Sequence, residues 1–275
     1  MARPIVVRRS VRHLQNDIAA ALDTLGRGAL PALAGRRVLI KANFNSPHRY
    51  PASTAPGFLA ALAGALRDAG AGRIAIGDSC GLRWAPAERV AAALGIPQLA
   101  KQLDAEWINF DDGPWREVRV GGELFPVVRV AEAFFQADFV VYACCMKTHR
   151  RAGFSLSLKH AVGFLPPDQR EAVHDGDISL RIAEINLAAK PHLILLDARK
   201  CFAAGGPAIG WVRRPNLLLA STDRVALDVE GLKVLGAYPA FNRLRRDPWN
   251  EPQIRAAIAL GLGACNASEY EVAGG

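Results

Sequence analysis

The sequence predicts an α/β protein with an open, mostly parallel sheet and helices on both faces. Several short runs rich in Val, Ile and Leu are apolar at nearly every position, which is typical of strands buried on both sides. Helical patterns lie between several of these runs, as alternating α/β folds require. The chain has 275 residues, 51% hydrophobic and 22% charged, so it is long enough to bury a large core.

The predicted strands end in polar residues and the predicted helices separate them. The strand runs are VLIKANF (38–44), RIAIGDS (73–79), FVVYACCMK (139–147), HLILLDA (192–198) and NLLLASTD (216–223). The helices are expected at 54–70, 86–95, 177–190, 224–236 and 252–263, after a short N-terminal strand and helix. Residues 115–130 alternate around Gly121-Gly122 and predict a β-hairpin insertion. Without a repeat or an obvious linker, residues 1–275 are expected to form one domain.

The charge and composition of the chain limit the kinds of partner that it could bind. The formal net charge of +8 suits phosphates, carboxylates or nucleic acid. Nucleic-acid binding would need a basic stripe with aromatic platforms, and only RLRRDPWN (243–250) comes near it, so no nucleic-acid partner is expected. No run has transmembrane length and the N-terminal segment lacks the apolar core of a signal peptide, so we expect no membrane partner and a cytoplasmic location.

The five cysteines, at positions 80, 144, 145, 201 and 265, have no CxxC spacing. A ferredoxin-type iron–sulfur cluster needs four thiolates in close register, so none is expected in this chain. An odd cysteine count without a secretory leader favours reduced thiols.

Polar residues at the strand ends predict a site. In open α/β sheets, ligands bind beyond the carboxyl ends of the strands. The residues at or just past those ends are Lys41, Asn43, Asn45, Asp78, Ser79, Lys147, His149, Asp197, Ser221 and Asp223. We therefore expect a common cleft lined by Lys41, Asn43, Asp78, Lys147, His149 and Asp197.

The stretch after the third strand run, residues 147–177, holds three of the six histidines. Glycines and prolines divide it into short pieces that can bend back over the sheet. Its apolar residues can then pack on the sheet as a cap. The side chains expected to turn toward the cleft are Lys147, His149, Lys159 and His174.

These segments resemble the domain-of-unknown-function family 362 (DUF362) over nearly the whole chain. The matching pieces are VLIKANFNSP, RDAGAGRIAIGDS, ADFVVYACCMKTH, SLSLKHAVGFLPP with His174 after it, KPHLILLDA, GGPAIG and LLLASTDRVALD. The resemblance implies an α/β fold. Many relatives carry an appended ferredoxin-like module, which the cysteines do not support here, and Ala42 stands where members often have proline.

The layout is also similar to that of lactate racemases that use a nickel-pincer nucleotide. Lys159, the segment GFLP (163–166) and His174 follow one another in the order of those proteins. The resemblance implies that Lys159 contacts a cofactor and that His174 is a metal ligand.

The candidate residues fall into three roles. Lysine and histidine can transfer protons or hold anions, so Lys147, His149 and Lys159 are the catalytic candidates. Strand-end polar groups, an arginine and the glycine-rich turn could bind a cofactor, namely Lys41, Asn43, Asp78, Ser79, Arg150, Gly205 and Gly206. The metal-ligand candidates are His160, His174 and Asp197.

Three functions remain open at this point. The first is an enzyme that binds a metal or a metal-containing nucleotide and acts on a small anionic substrate. The second is a non-catalytic protein that binds or delivers a metal or an anionic ligand. The third is a cofactor-free isomerase or oxidoreductase that uses histidine and lysine as acid and base. A homo-oligomer is compatible with all three, and the sequence does not name the substrate, the metal or the reaction.

Overall fold

The computed structural model of the protein describes residues 3–26, 32–80, 85–238 and 241–274. The strands are β1 (Ile5–Ser10), β2 (Val38–Lys41), β3 (Ile74–Asp78), β4 (Glu106–Asn109), β5 (Trp115–Arg119), β6 (Val127–Ala131), β7 (Phe139–His149), β8 (Gly153–Ser155), β9 (Leu193–Gly205), β10 (Gly210–Arg213), β11 (Leu217–Ser221) and β12 (Glu271–Ala273). The α-helices are α1 (Leu14–Gly26), α2 (Pro56–Asp68), α3 (Ala87–Ala93), α4 (Ile96–Gln102), α5 (Ala133–Gln136), α6 (Ser157–His160), α7 (Pro167–Ala172), α8 (Ile178–Ile185), α9 (Arg224–Gly236) and α10 (Pro252–Ala259).

The large sheet has the strand order β12-β1-β11-β9-β7-β2-β3-β4, with β8 added to β7 and β10 added to β9. Strands β9, β7, β2, β3 and β4 are parallel, so their carboxyl ends lie at one edge of the sheet. The predicted α/β class and mostly parallel sheet are confirmed.

The direction of β11 corrects the sequence prediction. Strand β11 is antiparallel to both β1 and β9, so its carboxyl end lies at the opposite edge of the sheet. Ser221 and Asp223 are therefore not at the cleft. Asp223 instead accepts hydrogen bonds from the backbone N–H groups of Val225 and Ala226, as an N-cap of α9 does.

Helices cover the two faces of the sheet because its strands are apolar on both sides. One buried cluster joins the sheet to α1, α2 and α3, with Ile18, Leu62 and Val90 among its members. The other cluster joins the sheet to α8, α9 and α10, with Ile182, Val229 and Ile254 among its members. The predicted β-hairpin is present as β5 and β6, which form a separate two-stranded antiparallel sheet.

The predicted cap follows β7 directly. Strand β7 extends to His149, two residues further than expected, and β8 folds back on it with Lys147 opposite Ser155. Phe154, Leu158 and Phe164 are then buried in the core, which fixes the cap to the sheet. The short helices α6 and α7 complete the segment before α8 begins.

Two further features bear on earlier expectations. None of the helices in the described part of the chain is both long and apolar enough to cross a membrane. No disulfide joins any of the cysteines, all five of which lie at described positions.

Candidate functional site

A cleft of about 880 Å³ lies at the carboxyl edge of the parallel strands, beneath the cap. Eleven of the sequence-predicted residues line it, namely Lys41, Asn43, Asn45, Asp78, Ser79, Lys147, His149, Arg150, Lys159, His160 and His174. Asp197, Gly205 and Gly206 do not line it. The structure thus brings together residues from β2, β3, β7 and the cap.

The wall of the cleft at β2 and β3 is electrically paired. The ammonium group of Lys41 lies 2.7 Å from Oδ1 of Asp78 and also donates to the carbonyl oxygen of Ala42 at 2.8 Å. The other oxygen of Asp78 accepts from the backbone N–H of Phe44. Burial raises the pKa of Asp78, and the Lys41 ammonium and the backbone N–H groups oppose that rise. Both side chains are almost completely buried, so the pair holds the two strand ends together.

Gly163 of the cap packs directly on this ion pair. A Cβ atom at that position would lie 2.5 Å from Asp78 Oδ1 and even closer to Lys41 Nζ. The Ser79 hydroxyl donates to the carbonyl oxygen of Gly163 at 3.0 Å. Asn43 is likewise occupied, since its side-chain amide donates to the carbonyl oxygen of Ala52 at 2.9 Å. Lys41, Asp78, Ser79 and Asn43 therefore line the cleft with polar groups that already have partners.

The part of the cleft formed by β7 and the cap carries unbalanced positive charge. We call the group Lys147, His149, Arg151, Lys159 and His174 the basic wall. The ammonium group of Lys159 has no hydrogen-bond or ion-pair partner among the residues that the structure describes. Burial, together with the positive charges of Lys147 and Arg151, lowers its pKa to about 7. No carboxylate offsets these effects, so the charged form of Lys159 is destabilised in the free protein.

Lys147 is buried in the same wall. Its ammonium group donates to the carbonyl oxygen of Ala52, in the loop that follows β2. Burial lowers the pKa of Lys147, whereas the nearby Cys145 thiol and Asp78 raise it. Burial in turn raises the pKa of Cys145 to about 11, so this thiol remains protonated at neutral pH. The pair therefore does not provide a thiolate nucleophile at neutral pH.

The backbone fixes the tautomer of His149. Its Nδ1 atom accepts hydrogen bonds from the N–H groups of Arg151 at 3.2 Å and Ala152 at 3.0 Å. A ring nitrogen that accepts carries no proton, so the neutral ring is protonated at Nε2. Burial, together with the neighbouring Lys159 and His174, lowers the pKa of His149 to about 2. His149 is consequently a neutral hydrogen-bond donor across the whole physiological range.

His174 has the opposite tautomer. Its Nδ1 lies 3.0 Å from the carbonyl oxygen of Arg170, which can only accept, so Nδ1 carries the proton and Nε2 has a lone pair. The rings of His149 and His174 are nearly parallel, with centroids 6.3 Å apart. Burial and the charge of Lys159 lower the pKa of His174, which favours the neutral ring. The cleft therefore contains one imidazole donor and one imidazole with a free lone pair.

His160 serves the fold through one ring nitrogen. Its Nε2 donates to the carbonyl oxygen of Lys41 at 2.9 Å, and its ring packs against Tyr142. Burial lowers its pKa well below the ordinary value. This bond ties α6 to β2.

Asp197 does not reach the cleft, contrary to the sequence prediction. Strand β9 continues to Gly205, so Asp197 lies within the strand rather than at its end. Its carboxylate pairs with Arg199 at 2.7 Å and accepts from the Tyr50 hydroxyl at 2.8 Å. The predicted metal ligands His160, His174 and Asp197 are therefore not brought together. No group of three or more His, Cys, Asp or Glu side chains that could hold a metal ion occurs in the described ranges.

The glycine-rich turn is a hairpin rather than a phosphate loop. The N–H of Gly206 donates to the carbonyl oxygen of Ile209 at 2.7 Å, and Gly205 pairs with Gly210 across β9 and β10. Gly206 has a φ of +71° and approaches the carbonyl oxygen of Thr148 so closely that no side chain fits. Its carbonyl oxygen accepts from Arg150 Nε at 3.4 Å, which is the turn's link to the cleft.

Sequence reasoning missed one side of the cleft. Asp111 and Arg170 line it and form an ion pair at 2.6 Å, and Cys80 and Glu171 also contribute to the lining. Asp111 follows β4, a short edge strand whose sequence, EWIN, has none of the long apolar run used to identify the other strands. Four residues without alternation or a long apolar run carry no clear strand signal, so the sequence did not place Asp111 at a strand end.

The comparisons with known proteins agree with this fold. The family described as "Domain of unknown function (DUF362)" matches residues 38–233, so the chain belongs to that family. The matched range contains both walls of the cleft. No curated protein matches the chain.

Among solved structures, the lactate racemase apoprotein from Thermoanaerobacterium thermosaccharolyticum is similar, with a TM-score of 0.50 and 13% sequence identity. The match covers 83% of this chain and 56% of the racemase chain. The chain thus spans little more than half of that protein, and at this identity the likeness extends to the fold alone.

Proposed function

We propose that the protein is an enzyme that binds an anionic group at the basic wall and acts on a small anionic substrate in the same cleft. The observation that carries this proposal is Lys159, a lysine beside Lys147 and Arg151 without a carboxylate partner in the described chain. Like charges held together destabilise the free protein, and a bound phosphate or carboxylate would relieve that repulsion. The charges of Lys41 and Asp78 already pair with each other, so that wall does not require an added anion.

The size of the cleft suits more than a single small acid. Ligand pockets of roughly 300 to 1,000 Å³ accommodate molecules of drug or nucleotide size. At about 880 Å³, this cleft has room for a nucleotide-like cofactor beside a small substrate.

A metal-containing nucleotide is the cofactor that the resemblance of the sequence layout to lactate racemases implies. Lys159 fits such a group because its nitrogen lacks a partner, and His174 fits because Nε2 has a free lone pair. These two residues would hold it, whereas Asp197 is engaged elsewhere. When bound, its metal would supply an electrophilic centre that polarises a substrate oxygen.

The chain's own residues would perform three tasks. Lys159, with a pKa of about 7 in the free protein, would take up a proton when the anion binds and hold it as an ammonium group. His149 would donate its Nε2–H to an oxygen of the substrate, because its other ring nitrogen is occupied by the backbone. Arg150 and Arg151, at the rim, would attract the anion into the cleft.

A cofactor-free isomerase is the second candidate, and the lowered pKa of Lys159 favours it. A neutral amine at physiological pH can remove a proton from a carbon atom next to a carboxylate without a metal. The two candidates differ in whether the purified protein contains a metal.

The experiment combines composition and exchange. Gently purified protein is analysed by native mass spectrometry and by elemental analysis, and then incubated in D₂O with small carboxylic acids. Lys159→Ala and His174→Ala are compared with Lys101→Ala, which removes an exposed lysine on α4 outside the cleft.

We expect bound anion or metal in the parent protein and in Lys101→Ala, and about a tenfold or greater loss in both cleft variants while circular dichroism is unchanged. Metal together with deuterium exchange supports the first candidate, and exchange without metal supports the second. Full ligand content and exchange in both cleft variants would contradict the proposal. A ligand without any exchange would leave a binding or delivery protein as the better description.

A further inference from the structure

The turn of helix that carries Lys159 is held from outside. Helix α6 is four residues long, too short to persist by itself in water. The residue before it, Leu156, offers no side-chain cap. The stability of this turn must therefore come from its neighbours.

Asp228 of α9 supplies the missing cap. One carboxylate oxygen accepts from the N–H of Ser157 at 2.7 Å and from its hydroxyl at 2.6 Å, and the other accepts from the N–H of Leu158 at 3.0 Å. Asp228 is completely buried and lies 71 residues after Ser157 in sequence, with α7, α8, β9, β10 and β11 between the two helices. Burying a carboxylate costs free energy, and its three hydrogen-bond donors offset that cost. The arrangement indicates that the position of this group matters.

Asn186, which follows α8, binds the other backbone group of Leu158. Its amide donates to the carbonyl oxygen of Leu158 at 2.8 Å, and Arg224 donates to the Asn186 side-chain oxygen at 2.7 Å. The N–H and the carbonyl group of Leu158 are thus both bound to the helical layer. Lys159 is the next residue along the chain.

We infer that Asp228 and Asn186 are positioning residues that clamp Leu158 and thereby keep Lys159 inside the cleft. A lysine with a flexible stem would otherwise swing its ammonium group toward water, away from Lys147 and Arg151. The clamp counteracts this tendency by fixing the backbone. The inference rests on the proposed function, in which Lys159 meets the anion.

The sign of one measurement separates position from charge. Burial raises the pKa of Asp228 to about 7, so above that pH it is a carboxylate, and removal of its negative charge would, through the electric field alone, lower the pKa of Lys159. Release of the turn would expose Lys159 and raise its pKa toward the ordinary value. The two explanations therefore predict opposite shifts in Asp228→Asn.

The test uses the full chain with labelled lysine, and NMR follows the titration of Lys159 together with sulfate binding by calorimetry. Sulfate is chosen because its charge is constant across this pH range. Asp228→Asn is compared with Glu230→Gln, a buried carboxylate of the same helix that binds the Tyr270 hydroxyl instead. Asn186→Ala removes the other half of the clamp and covers the case in which Asp228→Asn does not fold.

We expect Asp228→Asn and Asn186→Ala to raise the pKa of Lys159 and to weaken sulfate binding about tenfold, while Glu230→Gln changes neither. An unchanged or lowered pKa of Lys159 in the clamp variants would overturn the inference. If the parent protein does not bind sulfate but the clamp variants still raise the pKa, the positioning role stands and the anion-binding function fails.

Discussion

Lys41 and Lys159 are lysines of one cleft with opposite surroundings. Lys41 has a carboxylate 2.7 Å away, in Asp78, and a backbone carbonyl oxygen beside it. Lys159 has neither, and its nearest charged neighbours, Lys147 and Arg151, are positive. The paired charge of Lys41 links two strand ends. The charge of Lys159 lies among like charges, so a bound anion would stabilise it.

The two regions also differ in how the cap meets them. Over Lys41, the cap approaches through Gly163 with no room for a side chain. Near Lys159, the cap turns its polar residues inward and the cleft remains open. The same segment therefore seals one wall and leaves the other available to a ligand.

The largest effect should follow from breaking the paired wall. Asp78→Asn leaves the Lys41 ammonium buried without its counter-charge, so we expect a loss of about 3 to 5 kcal/mol in the free energy of unfolding. Denaturation in urea measures it. Asp138→Asn, which breaks an exposed pair with Arg37, should cost far less. Equal losses in the two variants would mean that burial does not distinguish them.

A methyl group at Gly163 should act on the same wall. In Gly163→Ala the new Cβ collides with Lys41 and Asp78, and we expect a loss of about 1 to 3 kcal/mol from overpacking. Gly57→Ala is the control, because nothing lies within 4 Å of a Cβ at that helical position. This control should be neutral or slightly stabilising. A stable Gly163→Ala would show that the cap can lift off the ion pair.

Acid should lower the stability of the folded protein through His149. The unfolded chain binds a proton at this residue as the pH falls through about 6.5. The folded chain does not, because its pKa is about 2. Protonation therefore favours the unfolded state, and stability is lost as the pH falls through that window.

We expect His149→Asn to reduce this acid-dependent loss by on the order of 1 kcal/mol, measured by urea denaturation at a series of pH values. His13→Asn, at an exposed histidine, should leave the profile unchanged. An identical profile for His149→Asn would contradict the assigned neutral tautomer.

The smallest effect on stability is expected at Lys159. Lys159→Ala removes a charge that has no partner, so the free energy of unfolding should be unchanged or rise by up to about 1 kcal/mol. Thermal and urea denaturation measure it, beside Asp78→Asn as the contrasting variant. A large loss would mean that Lys159 has a structural partner and would remove its distinction from Lys41.

Much of the fold was predictable because the strands of a buried sheet are apolar on both faces. The runs at β2, β3 and β7, the helix α2 and the hairpin β5–β6 all follow from periodicity and turn residues. The direction of β11 was not predictable, because an apolar run looks the same in parallel and antiparallel neighbours.

The cleft was predictable where a strand ends in polar residues, as at Lys41, Asp78 and His149. It was not predictable where pairing depends on long-range contacts. The residues around Asp197 in sequence do not predict its hydrogen bond with Tyr50. Those around Leu158 do not predict its hydrogen bond with Asp228. Sequence could therefore name the charged residues but not say which of them were already satisfied.

The central claim is that Lys159 is poised for an anion, and its titration tests this most directly. NMR of lysine-labelled protein, with Lys159→Arg for assignment, gives its pKa with and without sulfate. We predict a pKa of about 7 in the free protein that rises when sulfate binds. Sulfate binding should weaken by up to about tenfold for each pH unit above the pKa of the free protein. The reason is that the neutral amine must take up a proton before it can pair with sulfate. A pKa near the ordinary lysine value that sulfate does not change would contradict the account.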